Sequence, residues 1–159
     1  MTTPRGLVLV GLLLVLGAVN LTIAEKERLL TRGTTMLLPL TWDDDRSMIQ
    51  GDYLRLDYAL GDVPVPPGTP RDGRLVVRLD AHQVAGFVRF DDGTPLAPGE
   101  HFLRYRIRRG RPRLGADAYF IQEGAADRYR AARYGVLRVD DDGTGVLTGL
   151  CDEAYQPIR

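Results

Sequence analysis

The sequence predicts a mainly β domain, a small antiparallel β-barrel or sandwich with one short helix, preceded by an N-terminal transmembrane helix. Three observations predict it. From residue 34 onward, short stretches carry apolar residues at every second position and are separated by Gly, Pro and Asp clusters, which is the pattern of many short strands. Only residues 123–134 show helical spacing, with Ala125, Tyr129 and Ala132 on one face. One uncharged run rich in Leu and Val, residues 6–24, stands apart from the rest.

Residues 6–24 set the domain organisation. At about 1.5 Å per helical residue they just cross a hydrocarbon core of about 30 Å. A cleaved signal peptide is the competing reading, with Thr22-Ile23-Ala24 as a small-residue site, but the run exceeds the usual signal core and lacks Ala-x-Ala. The expected organisation is a transmembrane anchor over 1–24, a stalk over 25–33 and a β domain over 34–159, and the signal-like N-terminal position suggests a short cytoplasmic start with the domain extracytoplasmic. Arg5 precedes the segment and Lys26, Arg28 and Arg32 follow it, so flanking charge alone does not orient it.

The β pattern follows in order. Residues 34–42 read as a strand that Pro39 marks as an edge or an irregular piece. Asp43, Asp44 and Asp45 form an acidic turn. They are contiguous, unlike the alternating ligands of a calcium loop, so a solvated turn is expected. Residues 52–60 alternate, placing Leu54, Leu56, Tyr58 and Leu60 on the core face and Tyr53, Arg55, Asp57 and Ala59 opposite. Asp52 falls on the leucine side at the strand's first position. It either caps the turn through backbone amides or is a functional carboxylate. Four prolines stiffen residues 61–73 as a loop. Residues 74–80 and 84–91 read as a hairpin. Residues 101–109 read as a strand with Leu103, Tyr105 and Ile107 inward and Arg104, Arg106 and Arg108 outward. That arginine row either pairs with acids on neighbouring strands or meets an anionic headgroup or acidic partner. Gly135 is expected to stop the helix. A last hairpin joins 136–140 to 145–150 through Asp141-Asp142-Gly143, a type I′ turn signal. In all, about seven to nine strands are expected.

Residues 51–58, Gly51-Asp52-Tyr53-Leu54-Arg55-Leu56-Asp57-Tyr58, match in full the pattern Gly-Asp-Tyr-x-x-Leu-x-Tyr. Downstream come Asp117-Ala118-Tyr119-Phe120, Glu123-Gly124, Arg128-Tyr129, Tyr134-Gly135 and Arg138-Val139-Asp140. With both blocks in this order behind an apolar N-terminal segment, the chain resembles the GDYXXLXY family of bacterial membrane-anchored proteins over about residues 36 to 151. The resemblance implies a membrane-anchored domain of unknown activity, with a multi-pass membrane protein as its partner. It also implies an inner-membrane location with the domain in the periplasm or outside the cell. It supplies no catalytic residues. The motif positions Gly51, Asp52, Tyr53, Leu56, Tyr58, Glu123, Gly124, Tyr129, Tyr134 and Gly135 are the candidate functional ones.

Composition narrows the chemistry. The chain has 159 residues, with 21 basic against 21 acidic side chains, which argues against a nucleic-acid partner. Cys151 is the only cysteine, so no internal disulfide forms, and it reads as a small buried residue rather than a reactive thiol. Ser47-Met48 ahead of Gly51-Asp52 is similar to the signal-peptidase arrangement. That chemistry needs a buried lysine as base, and the single lysine, Lys26, adjoins the apolar segment. His82 and His101 lack the spacing of a metal site. No phosphate loop, dinucleotide fingerprint or nucleophile elbow occurs, and no cofactor is expected. Two function classes remain. The first is a non-enzymatic accessory or interaction subunit of a membrane complex. The second is a cell-envelope hydrolase that divides acid and base roles between Asp52 and Glu123.

Overall fold

A computed structural model describes residues 4–41, 49–50, 53–121 and 125–158. It divides into two units, Met1–Arg32 and Gly33–Arg159.

The first unit is helix α1, Pro4–Arg32. Its apolar stretch is long and uncharged enough to cross a membrane. Leu9, Leu13, Leu14, Val15 and Leu21 are all exposed on it. The two hydrogen-bonding side chains in that stretch are satisfied within the helix. Asn20 Nδ2 donates to the Leu16 carbonyl at 2.8 Å, and Thr22 Oγ1 donates to Ala18 at 3.0 Å. Such internal bonds remove polar groups that hydrocarbon would leave unpaired. The helix continues through the charged residues to Arg32 and stops at Gly33.

The second unit is mainly β. Its strands are β1 (Thr34–Pro39), β2 (Ile49–Gln50), β3 (Tyr53–Arg55), β4 (Asp72–Leu79), β5 (Ala85–Phe90), β6 (Glu100–Arg108), β7 (Arg111–Arg113), β8 (Ala118–Phe120), β9 (Tyr134–Val139) and β10 (Gly145–Cys151). They form three sheets, ordered β1-β9-β10, β2-β3-β8 and β5-β4-β6-β7, with every strand pair antiparallel. Single bridges join the sheets into one curled half-barrel. Leu37 N donates to Gln83 O at 2.9 Å, Leu40 bridges to Tyr58, and Arg104 N donates to Gly143 O at 2.8 Å. The concave side is one core, built from Met36, Leu38, Leu54, Leu56, Leu75, Val77, Leu103, Leu137, Val139 and Leu150 among others.

The alternation of residues 52–60 survives while the long strand does not. Leu54, Leu56, Tyr58 and Leu60 are all buried, and Arg55 and Ala59 are exposed. Regular pairing nevertheless ends at Arg55. Leu56 N still reaches Asp117 O at 2.9 Å, but the chain then turns through a 3-10 segment, Ala59–Gly61, ahead of the proline loop. The expected helix is likewise reduced to one turn, α2, Ala126–Tyr129, whose N-cap residue Ala125 makes no side-chain cap bond. So short a helix does not repay its nucleation cost. The following residues are drawn into the sheet instead: Arg133 N donates to Cys151 O at 2.7 Å, and Gly135 lies inside β9 rather than ending a helix. Ten strands occur among the described residues, above the expected seven to nine, because β2, β3, β7 and β8 have only two or three residues each.

The β9–β10 loop is not type I′. Among Asp141, Asp142 and Gly143 only Gly143 has positive φ, at 87°, and Gly143 N donates to Asp140 O at 3.0 Å. That is a three-residue loop closed by a left-handed glycine. The type I′ geometry occurs instead in the β6–β7 hairpin, where Arg109 (φ 53°) and Gly110 (φ 76°) are both left-handed.

Glu100 is the buried charged residue of the sheet. It accepts from Arg89 Nη1 at 2.9 Å, Arg78 Nη2 at 3.0 Å and the Ala97 amide at 3.0 Å. The Arg89 bond first, and the Ala97 amide next, hold its carboxyl below the usual range. Its contribution to stability is therefore complete above the ordinary glutamate pKa of about 4.3 and fades as pH falls through the lower folded value. Glu100→Gln is expected to lower the melting temperature near neutral pH and to flatten its decline in acid. A variant whose melting temperature parallels the wild type at every pH would remove Glu100 from the acid response.

Candidate functional site

The two motif blocks are neighbouring parts of one sheet. β3 carries the first and β8 the second, with Tyr53 opposite Phe120, Leu54 opposite Tyr119 and Arg55 opposite Ala118. Leu56 is fully buried. Tyr58 is buried too, and its Oη donates to the Ala116 carbonyl at 2.8 Å. Burial, and secondarily the Asp117 charge, push the Tyr58 phenol well above its ordinary pKa. The ring of Tyr58 lies over Gly135, where a Cβ would stand 2.9 Å from Cε1 and 3.1 Å from Oη. Glycine at 135 is therefore what lets the Tyr58 ring close onto β9.

Other second-block residues have defined partners. The Tyr129 ring meets Tyr119 at 5.6 Å between centroids, and both pack against the core. Tyr134 packs on Tyr155 at 5.2 Å, and Tyr155 stacks on His82 at 4.6 Å. Arg138 Nη1 donates to Gly33 O at 2.8 Å and to Thr35 Oγ1 at 2.9 Å, fastening the start of β1. Asp140 Oδ1 accepts from the amides of Asp142 and Thr144, closing the last hairpin.

The described part of the site brings Tyr58 and Gly135 into contact, with Leu56 buried in the core that Tyr58 shares. Tyr129 and Tyr134 stand in separate aromatic contacts. Gly51, Asp52, Glu123 and Gly124 lie outside the described residues, as do the Asp43 to Asp45 turn, Ser47-Met48 and the side chain of Tyr53. The carboxylate pair proposed for a hydrolase therefore has no geometry here. Among the described residues, no three His, Cys, Asp or Glu side chains come together as metal ligands. Cys151 is buried in β10, and burial pushes its thiol pKa up.

The family model for the GDYXXLXY protein matches residues 15–150. The chain belongs to the GDYXXLXY family. The match begins inside α1, earlier than the motifs suggest, so the second half of the apolar helix belongs to the GDYXXLXY pattern. No curated protein and no solved structure matches the chain.

Beside the GDYXXLXY motif lies an arginine-rich surface. A cleft of about 250 Å³ is lined by Arg55, Arg108, Arg109, Arg113 and Asp117. Arg55 leaves β3 outward and stands 3.8 Å from Asp57, while Arg113 of β7 bonds the same carboxylate. Asp117 is half-buried just before β8. Its carboxyl is raised above the usual range by burial, with Asp57 adding to the shift, against the pull of Arg113, Arg108 and Arg55. A broader cleft of about 720 Å³, which shares Arg55 and Arg113 with the first, is walled by Val63, Pro64 and Val65 of the proline loop. In sequence Arg108 alternates with Arg104 and Arg106 and looks equivalent to them. Their partners differ, since Arg104 meets Asp142 at 2.6 Å and Arg106 pairs with Asp72, although all three line one broader cleft with Arg113 and Asp117. Arg109 and Arg113 carry no such alternation signal, although the Arg109-Gly110 pair between two strand-like runs is a visible hairpin signal.

Proposed function

We propose that this GDYXXLXY chain is a single-pass accessory subunit of a membrane protein complex. Residues 6–24 span the bacterial cytoplasmic membrane with the amino terminus inside, and the β domain works in the periplasm or outside the cell. Its partner is a multi-pass membrane protein, recognised through the face that carries Tyr53, Arg55 and Asp57. The observation that carries this reading is the pairing of an apolar helix with a β domain whose motif residues Leu56, Tyr58 and Gly135 are used in packing. Such a motif builds a scaffold and leaves recognition to the exposed side of β3. An anchor confines both proteins to one membrane and raises their effective concentration.

The test is a pull-down of the full-length chain from native membranes in detergent, beside a chain whose residues 1–24 are exchanged for an unrelated anchor. Co-purifying proteins are identified by mass spectrometry. A stoichiometric multi-pass protein with both baits is the expected result, and Arg55→Glu should deplete it. Capture with the native helix alone would move recognition into α1. Capture by neither bait would end the accessory-subunit reading.

A further inference from the structure

The β6–β7 hairpin treats its arginines unequally. Arg104, Arg106 and Arg111 each have a carboxylate partner: Asp142, Asp72 and Asp62. Among the described residues, neither Arg108 nor Arg109 has a carboxylate within ion-pair distance. Arg109 also occupies the first left-handed position of the two-residue turn, at φ 53°. Asn, Asp or Gly would sit there more easily, so a guanidinium is held where the backbone disfavours it. Strain of this kind collects at ligand sites. Both side chains line the 250 Å³ cleft with Arg55 and Arg113, and the cleft's remaining wall is Asp117.

We propose that this cleft binds hydrogen phosphate, free or as a singly protonated phosphomonoester, with the arginines gripping the oxyanion and the Asp117 carboxylate accepting the bond from its P–O–H. Planar guanidinium forks match the oxygen spacing of phosphate and remain charged at every relevant pH. A lone carboxylate in an arginine cleft would repel an oxyanion that offers only lone pairs. It favours one that brings a proton. Sulfate has phosphate's shape without that proton, so Asp117 makes the cleft selective. Asp117 is faced by Arg113 and Asp57, by Arg108 and Arg55, and by the Tyr58 phenol behind it. This proposal goes beyond the accessory-subunit reading and does not depend on it: the pull-down reads a protein and the titration below reads a small anion.

The experiment is calorimetric titration of the full chain in neutral detergent with inorganic phosphate and with sulfate, at about pH 6.5, where phosphate and part of a phosphomonoester keep an O–H. Phosphate is expected to bind about tenfold or more tightly than sulfate, and Arg108→Ala to weaken phosphate by a similar factor. Arg109→Asn relieves the turn, so it should weaken phosphate while raising the melting temperature, and a folding defect cannot imitate that result. Asp117→Asn should narrow the preference over sulfate, because an amide can donate. Arg130→Ala, whose side chain pairs with Asp127 and lines none of this cleft, should change nothing. Equal binding of the two anions, no phosphate binding, or full binding by the Arg108→Ala and Arg109→Asn variants would overturn the proposal. The source is read by repeating the phosphate titration in nanodiscs with and without phosphatidic acid, and with glycerol phosphate as competitor. Phosphate heat suppressed by phosphatidic acid identifies a lipid headgroup; suppression by glycerol phosphate alone identifies a soluble ester.

Discussion

Leu56→Ala is expected to destabilise the β domain by about 2–5 kcal/mol, the range for deleting a fully enclosed leucine. Leu56 has no exposed surface and belongs to the central cluster with Leu54, Leu75, Leu103 and Leu137. The cost combines lost transfer energy with the cavity left behind. That cavity has little freedom to collapse. Leu56 N is fixed to Asp117 O, and two residues on, Tyr58 is fixed to Ala116 O, so the backbone around the site is tied to the β7–β8 connection on both sides. Chemical denaturation of the full chain in detergent, followed by near-ultraviolet dichroism of the tyrosines, reads the β domain separately from α1. Ala59→Ser is the control, because Ala59 is exposed on the opposite face and should move stability by no more than about 0.5 kcal/mol. A Leu56→Ala loss no larger than that of Ala59→Ser would mean that the motif leucine is not a core residue.

Gly135→Ala is expected to cost about 1–3 kcal/mol, the range for overpacking a filled interior. The added methyl would stand 2.9 Å from Tyr58 Cε1 and 3.1 Å from its Oη. Tyr58 cannot swing aside cheaply, since its ring is buried and its hydroxyl is bonded to Ala116 O. The claim is about a pair, so the decisive measurement is a double-mutant cycle. Tyr58→Leu alone should be destabilising, because it leaves the Ala116 carbonyl without its partner and shrinks the packed volume. In that background Gly135→Ala should cost clearly less, with a coupling of about 0.5–3 kcal/mol, as expected for residues in direct contact. Additive losses would show that the two family blocks are not held together at this point.

Much of the fold was legible because its signals are local. Alternation along residues 52–60 marks Leu54, Leu56, Tyr58 and Leu60 as inward, and each is buried even where strand pairing lapses. Burial is set by the direction of side chains from an extended backbone, which the sequence pattern records. The hydrogen-bonded ladder depends on a neighbour being present, which it does not. The 74–91 hairpin and the 136–150 hairpin were readable for the same reason, through turn residues between two alternating runs. The helix was overread, because Tyr129 and Ala132 do turn toward the core although regular helix stops at Tyr129. The pull on Arg133 and Tyr134 comes from the end of β1 and from Cys151 in β10, beyond the reach of helical spacing.

The candidate site was less legible. Arg55, Arg108, Arg113 and Asp117 come from four separate segments, and single-sequence patterns give no sign that they converge. The alternating arginines of β6 look equivalent in sequence. They differ only because Asp72 and Asp142 come within reach of two of them through β4 and the β9–β10 loop, while Arg108 runs past those acids to the hairpin tip. By itself the sequence determined the family motif, the apolar helix and the inward face of each strand, since all three are properties of residues close together along the chain. The tertiary structure alone decided that the two motif blocks pair as β3 and β8, that Tyr58 closes over Gly135, and that surplus guanidinium charge collects beside Asp117. Those are distances between segments as many as 77 residues apart, such as Tyr58 and Gly135, and only packing fixes them.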